Sequence, residues 1–176
     1  MTTENEASTE IINDTPTERL AKANDSVKNH TMAAISVGLV PVPMIDMAAL
    51  TTIQLNMIYS LAKRYEVPFS KNLVKSLVSS LVAGSTPVTV ALPLASFLKA
   101  IPIIGQTSGM ISTSAIGAYS TYAIGHVFIT HFESGGTFLD FDMKKAKQQF
   151  KELYEEGKKF VGLQKEEAKE TTNAQG

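Results

Sequence analysis

Two kinds of side chain in this sequence could carry chemistry: one isolated carboxylate and three histidines. Asp46 is the only charged residue between Asn29 and Ala62 and lies in the apolar stretch GLVPVPMIDMAAL. An acid in such a stretch is either a proton or ion site, because acids in apolar helices are costly, or a helix N-cap. The sequence leaves both interpretations open. It favours the cap, because Pro41 and Pro43 break the backbone just before the carboxylate.

The other candidates for chemistry give weaker signals. Of the three histidines, His30, His126 and His131, the last two lie five residues apart, a poor spacing for one helix face. The chain has no Cys, which excludes thiolate zinc sites and disulfides. Ser112–Ser114 lack a nucleophile-elbow motif, and no GxxxxGK[ST] phosphate-binding loop is present. We therefore predict no catalytic residue, no metal, no cofactor and no enzymatic activity.

Helices must position the carboxylate, and the sequence predicts an all-α fold. Helices are expected from Pro16 into a first apolar limb, over Met47–Tyr65, from Ser70 towards Gly84, and over Gln106–Phe132. The first two meet at a corner that contains Gly38, Pro41 and Pro43, and Asp46 starts the second of them. Gln54 follows Asp46 by eight residues on about the same face, where it can form an interhelical hydrogen bond.

Small residues recur along the longest apolar helix. They occupy every fourth position, at Gly105, Gly109, Thr113, Gly117, Thr121 and Gly125. Positions four apart share one helix face, so this helix carries a flat ridge of small side chains. Such a ridge lets another backbone approach closely. It predicts either packing within the chain or a self-association face, with Gly105, Gly109, Gly117 and Gly125 at the contact.

The distribution of charge divides the chain into four segments. We predict a disordered polar tail (1–17), an apolar helical-hairpin domain (18–135), a charged amphipathic helix (136–164) and a second disordered tail (165–176). The apolar domain consists of two hairpins, with corners at Pro41-Val42-Pro43 and Ile101-Pro102-Ile103. The Lys-rich amphipathic helix presents either a solvated face or a surface for a membrane or a partner helix.

Two uncharged runs raise the question of a membrane. Residues 76–98 and 100–132 contain no Asp, Glu, Lys or Arg, and both exceed the roughly 20 residues that a spanning helix needs. The basic residues concentrate in both terminal segments and one linker, which predicts that both termini lie in the cytoplasm. The absence of Trp and the many Ser and Thr residues also fit a soluble bundle with an apolar core. The near-neutral charge argues against nucleic-acid binding.

The stretch from Asn29 to Ser70 resembles the YcjF-like family, a domain of unknown function. The matching residues are Gly38, Pro41, Pro43, Asp46 and Gln54, followed by Tyr65-Glu66-Val67-Pro68. The family occurs in bacterial inner-membrane proteins and behind Era-like GTPase domains. The resemblance therefore implies a location at the bacterial inner membrane. Because this chain lacks the phosphate-binding loop, any GTPase partner would be a separate chain.

Composition and resemblance together predict a non-enzymatic, membrane-associated scaffold or adaptor. We expect a homo-oligomer that contacts the lipid membrane and serves a GTPase in trans. One alternative is a small oligomeric channel or transporter-like protein that uses Asp46. A second alternative is a soluble, cytoplasmic helical interaction module.

Overall fold

The computed structural model describes residues 14–37, 43–85 and 106–173, which form five α-helices. They are α1 (Pro16–Val37), α2 (Pro43–Arg64), α3 (Lys71–Ser85), α4 (Gln106–Glu133) and α5 (Met143–Asn173). No strand occurs in these ranges, so the all-α prediction is confirmed. Helices α1 and α2 pack together as the first predicted hairpin. The Ile101-Pro102-Ile103 corner lies outside the described residues.

Helix α4 forms the centre of the bundle. Helices α1, α2 and α5 all pack against it, and its buried side chains include Ala118, Ala123, Ile124, Val127 and Phe128. A helix that is apolar on every side is stable when other helices surround it. The second half of the uncharged run 100–132 is thus covered by helices of the same chain. Among the described helices, none has the length and apolar character of a bilayer span.

One end of the bundle is charged. Here the start of α1 meets the ends of α2 and α4. The Asp14 carboxylate accepts hydrogen bonds from Lys22 Nζ (2.6 Å) and Arg64 Nη1 (3.1 Å). Arg19 Nε lies 3.9 Å from Glu133 Oε1. We refer to this region as the charged end.

The opposite end is where two connections leave the bundle. Helices α1 and α2 are antiparallel, so the end of α1 at Val37 and the start of α2 at Pro43 lie opposite the charged end. Helix α3 starts seven residues after α2 ends and packs against α5. The Phe69 and Phe138 rings, which precede α3 and α5, have centroids 6.1 Å apart, so both helices start at the same end. The connection 86–105 between α3 and α4 therefore leaves from that same opposite end. We refer to it as the apolar end, defined by the helix termini Val37, Pro43, Ser85 and Gln106.

Local hydrogen bonds explain where α1 begins. Thr15 Oγ1 accepts from the Glu18 amide (3.3 Å), and Glu18 Oε2 accepts from the Thr15 amide (2.9 Å). This reciprocal arrangement is a capping box. Hydrogen bonds from the Thr15 amide and the Thr15 hydroxyl to Glu18 Oε2 lower the pKa of the Glu18 carboxyl. Pro16 occupies the first helical position, where its missing donor is harmless. The predicted helix start at Pro16 is confirmed.

Helices α2 and α4 both end in a Schellman motif. In α2, the Val67 amide donates to Ala62 O (2.8 Å), and Glu66 adopts a positive φ of 56°. In α4, the Gly136 amide donates to His131 O (3.0 Å), and Gly135 has a φ of 79°. Glycine tolerates this left-handed conformation, whereas glutamate pays a steric penalty. The two motifs therefore form a natural pair for comparison.

We expect Glu66→Gly to raise the free energy of unfolding by about 0.5–1 kcal/mol, since it removes the left-handed penalty but adds chain entropy to the unfolded state. Gly135→Ala should lower the free energy of unfolding by about 1 kcal/mol, because alanine pays the left-handed penalty that glycine avoids. Urea denaturation of both variants checks the pair. A loss of stability in Glu66→Gly would contradict the proposed strain.

Helix α5 begins at Met143, inside the segment 136–164 that the sequence predicts as an amphipathic helix, and it ends beyond that segment. Asp142 Oδ1 accepts from the amides of Lys144 (2.9 Å) and Lys145 (3.1 Å), as an N-cap does. The apolar face is buried at Ala146, Phe150 and Val161. The helix continues to Asn173, so the prediction of a disordered segment from residue 165 was wrong up to residue 173. That prediction overlooked the high helix propensity of Lys, Glu and Ala in this segment.

Candidate functional site

The predicted small-residue ridge lies against helices of the same chain. A Cβ added to Gly117 would lie 3.1 Å from Leu50 Cδ2 of α2. A Cβ added to Gly125 would lie 2.5 Å from Val27 Cγ2 of α1 and 3.1 Å from Met57 Sδ of α2. At these two positions, side chains of α1 and α2 leave little room for a larger residue on α4. Gly105 lies outside the described residues, and Gly109 is described only as backbone of α4.

A polar layer interrupts this contact. Gln54 Nε2 donates to Thr121 Oγ1 across α2 and α4 (3.3 Å), and Thr121 Oγ1 donates to Gly117 O (2.8 Å). Both side chains are buried. Thr31 lies one turn beyond Val27 on α1, is fully buried, and its hydroxyl has no hydrogen-bond partner among the described residues. The layer fixes how α2 and α4 align, because a shifted pairing would leave the Gln54 amide unsatisfied.

The structure changes the interpretation of Asp46. Helix α2 begins at Pro43, so Asp46 lies within the first turn and is not the N-cap that the sequence predicts. Proline is preorganised for the first helical position, which starts the helix earlier than a cap at residue 46 allows. A carboxylate in the first turn still suits the positive end of the helix dipole. The Asp46 side chain, Gly38 and Pro41 lie outside the described residues.

The two segments that connect helices at the apolar end are unusually apolar in sequence. Residues 38–42 read GLVPV and carry no charge. Residues 86–105 read TPVTVALPLASFLKAIPIIG, with Lys99 as their single charged residue. The described helix termini on either side of both segments, Val37, Pro43, Ser85 and Gln106, belong to the apolar end. The helix termini that flank these two apolar segments thus lie at one end of the bundle, opposite the charged end.

A histidine lies in the contact between α4 and α5. The His126 and Tyr122 rings have centroids 4.3 Å apart, and Tyr122 stacks on Phe160 of α5 at 5.3 Å. The helices approach closely at Gly157, where an added Cβ would lie 3.2 Å from Tyr119 O. Burial lowers the pKa of His126. Gly157, one of two glycines in α5, is not among the predicted site residues, although a glycine inside a helical pattern is a signal of close packing.

This pKa shift predicts a pH dependence. Because the folded-state pKa is lower than the ordinary value of 6.5, the unfolded chain binds more protons as the pH falls below about 6.5. The free energy of unfolding should therefore decrease between pH 7 and pH 5, and His126→Phe should remove part of that decrease. Urea titrations at several pH values check this. The pKa values of the Glu18 and Asp140 carboxyls are also lowered. Their contribution to the free energy of unfolding is therefore lost at lower pH, where these carboxylates become protonated.

The other histidines bind backbone carbonyls. His30 Nδ1 lies 2.7 Å from Ser26 O, and His131 Nε2 lies 2.7 Å from Thr137 O. The second contact closes the turn between α4 and α5. Across residues 14–37, 43–85 and 106–173, His, Asp and Glu side chains form no cluster of three that could hold a metal ion.

Comparisons with known proteins place the chain in a family. Residues 2–159 match the model of the family described as Domain of unknown function (DUF697). The chain is also 36% identical over 137 residues to Magnetosome membrane protein 22 of Magnetospirillum gryphiswaldense, which covers 77% of this chain and 70% of that protein. No solved structure matches. The family model spans most of the chain, and the protein belongs to the DUF697 family.

Proposed function

We propose that this protein is a non-enzymatic, membrane-associated scaffold that contacts the bilayer through the apolar end of its bundle. The observation that carries the proposal is topological. The helix termini that flank two uncharged or nearly uncharged segments, 38–42 and 86–105, lie at the same end of the bundle. The cluster of ion pairs around Asp14 and Glu133 lies at the other end.

The energetics of burial support such a contact. Moving one Leu or Ile side chain out of water contributes about 1.5–3 kcal/mol. Residues 86–105 contain Leu92, Leu94, Leu98, Ile101, Ile103 and Ile104, so insertion of a few of these side chains supplies the affinity of a peripheral protein. Lys99 can extend its ammonium group towards the headgroups while its stem stays in the apolar layer.

The polar end of α5 favours a shallow contact. Helix α5 runs antiparallel to α4 and ends at Asn173, on the same side as the apolar end. Its last turns read KEEAKETTN. These charged residues resist burial in hydrocarbon. The proposed arrangement therefore inserts the connections into one face of the bilayer and keeps α5 in water, with both termini on the cytoplasmic side.

The comparisons support the membrane part of this proposal. The relative from Magnetospirillum gryphiswaldense bears the name of a membrane protein, and the resemblance to the YcjF-like family points to the bacterial inner membrane. A GTPase partner in trans belongs to the proposal through that resemblance alone. Self-association was expected from the small-residue ridge, whose Gly117 and Gly125 lie against helices of the same chain.

Liposome flotation tests the proposal. Leu94→Glu and Ile103→Glu place a charge in the longer connection, and each should reduce flotation roughly tenfold, because a buried charge costs about 2.5–3.5 kcal/mol at full depth. Leu139→Glu is the matched control, because Leu139 is 90% exposed near the charged end. It should float like the unmodified chain.

Sedimentation of cell membranes at neutral pH gives the same comparison in the cell. The unmodified chain and Leu139→Glu should remain with the membrane fraction, and the two connection variants should be released. Equal flotation of all four proteins, with circular dichroism showing each one folded, would overturn the proposal.

A further inference from the structure

An unpartnered row of lysines runs along the start of α5. Lys144, Lys147 and Lys151 are spaced by three and four residues, which places them on one helix face. Lys144 and Lys151 are exposed and Lys147 is half-buried. We refer to these three residues as the lysine stripe. No carboxylate among the described residues pairs with it, whereas Lys158 farther along α5 pairs with Glu155 at 2.6 Å.

The lysine stripe does not stabilise its own helix. Like charges three or four residues apart repel one another. Cations in the first turn, such as Lys144 and Lys145, also oppose the positive end of the helix dipole. The stripe therefore contributes unfavourably to the isolated bundle, and an anionic group bound along it would remove that penalty.

The position of the stripe argues against lipid as its occupant. Helix α5 has 31 residues and is about 46 Å long at 1.5 Å per residue. The stripe occupies the first nine of these residues, next to the charged end, and the apolar end lies at the other end of the helix. An anionic partner in the aqueous phase fits this location.

We propose that the acidic N-terminal segment of this chain, residues 1–13, docks on the lysine stripe. The segment carries Glu4, Glu6 and Glu10 and contains no Lys or Arg. It joins the bundle at Asp14, which Lys22 and Arg64 hold at the charged end. Three carboxylates thus lie on a tether that starts at the same end of the bundle as the three unpaired ammonium groups.

Residues 1–13 are long enough for their glutamates to reach the lysine stripe. Helix α1 packs on α4, and α4 packs on α5, so the path from Asp14 to α5 crosses two helix spacings of about 8–10 Å each. Glu6 lies eight residues before Asp14, which allows up to about 26 Å, and Glu4 allows about 33 Å. The stripe itself spans about 10 Å along the helix. Docking covers the stripe and competes with any other acidic partner of α5.

A distance measurement on the full chain tests the proposal. The chain has no cysteine, so Ser8→Cys and Gln148→Cys accept two spin labels without side reactions. Double electron–electron resonance at low salt should show one dominant, short distance between the labels at residues 8 and 148. Lys144→Gln, Lys147→Gln and Lys151→Gln together should reduce the short-distance population roughly threefold or more, as expected for three surface charge pairs. The triple variant Glu4→Gln, Glu6→Gln and Glu10→Gln should do the same.

The matched control removes three lysines elsewhere. Lys28, Lys63 and Lys75 are exposed on α1, α2 and α3, and their replacement by Gln makes the same change in net charge. This control variant should keep the short distance between the labels. In the unmodified chain, raised salt should abolish the short distance. Equal distance distributions in the stripe variant and the control would overturn the proposal. A second result would also overturn it: the stripe variant keeps the short distance between the labels but no longer binds phosphatidylglycerol vesicles. Lipid would then be the occupant of the stripe.

Discussion

Phe128→Ala is expected to lower the free energy of unfolding by about 3–5 kcal/mol, as truncation of a buried aromatic ring does. Phe128 is fully buried in α4 and stacks on Phe141 with ring centroids 4.9 Å apart. It also contacts Phe132 and Phe138, each at 5.8 Å. The ring thus joins α4 to the turn that leads into α5. Removing it leaves a cavity that helices on several sides cannot close.

Urea denaturation measures this effect against a surface control. Leu139→Ala removes an apolar side chain from the same turn, but that side chain is 90% exposed, so its effect should stay within about 0.5 kcal/mol. A loss of similar size in the two variants would contradict the position of Phe128 at the centre of the bundle.

Gly125→Ala should destabilise the protein by about 1–3 kcal/mol, because the new methyl group overpacks the core. An added Cβ would lie 2.5 and 2.7 Å from the two Val27 methyl groups and 3.1 Å from Met57 Sδ. Neither neighbour can move away easily, since Val27 and Met57 are both fully buried. The single methyl would therefore push α1 away from α4.

Two further variants make the Gly125 prediction specific. Gly162→Ala in α5 meets no atom within 4 Å and should stabilise the protein by about 0.5–1 kcal/mol through helix propensity. Val27→Ala creates room beside Gly125, so the double variant should lose less stability than the sum of the two single variants. Strict additivity, or a stabilising Gly125→Ala, would show that the helices do not meet there.

Much of this fold follows from patterns in the sequence. The predicted bounds Gln106–Phe132 agree with α4 to within one residue, because Gly105 and Ser134-Gly135-Gly136 mark both ends. Gln54 forms the expected interhelical hydrogen bond. The ridge of small residues indicates close packing for the same local reason. Helix ends and faces depend on neighbouring residues, which the sequence displays directly.

Other features depend on contacts distant in sequence, and the sequence could not predict them. The ridge alone does not say that Val27 and Leu50 lie against it. The uncharged run 100–132 satisfies a hydropathy criterion, and only the packing of α1, α2 and α5 shows that its second half is covered by the chain itself. The Asp14 ion pairs join residues up to 50 positions apart.

Two errors have local causes. The N-cap prediction for Asp46 gave its carboxylate priority over Pro43, whose fixed φ already favours the first helical position. The capping box Thr15-Pro16-Thr17-Glu18 was readable from the sequence, but only its proline was used. Both cases concern helix starts, where proline and a capping side chain compete to define the first turn.

Fluorescent labels in the presence of liposomes test the central claim, membrane contact through the apolar end. Single cysteines at Leu94 and Leu139, on an otherwise cysteine-free chain, carry an environment-sensitive dye, and lipids with a quencher at known depth report its position. We predict a blue shift and strong quenching for the dye at residue 94, and neither change at residue 139. A dye at residue 94 that stays in water while the protein is bound to the liposomes would contradict the account.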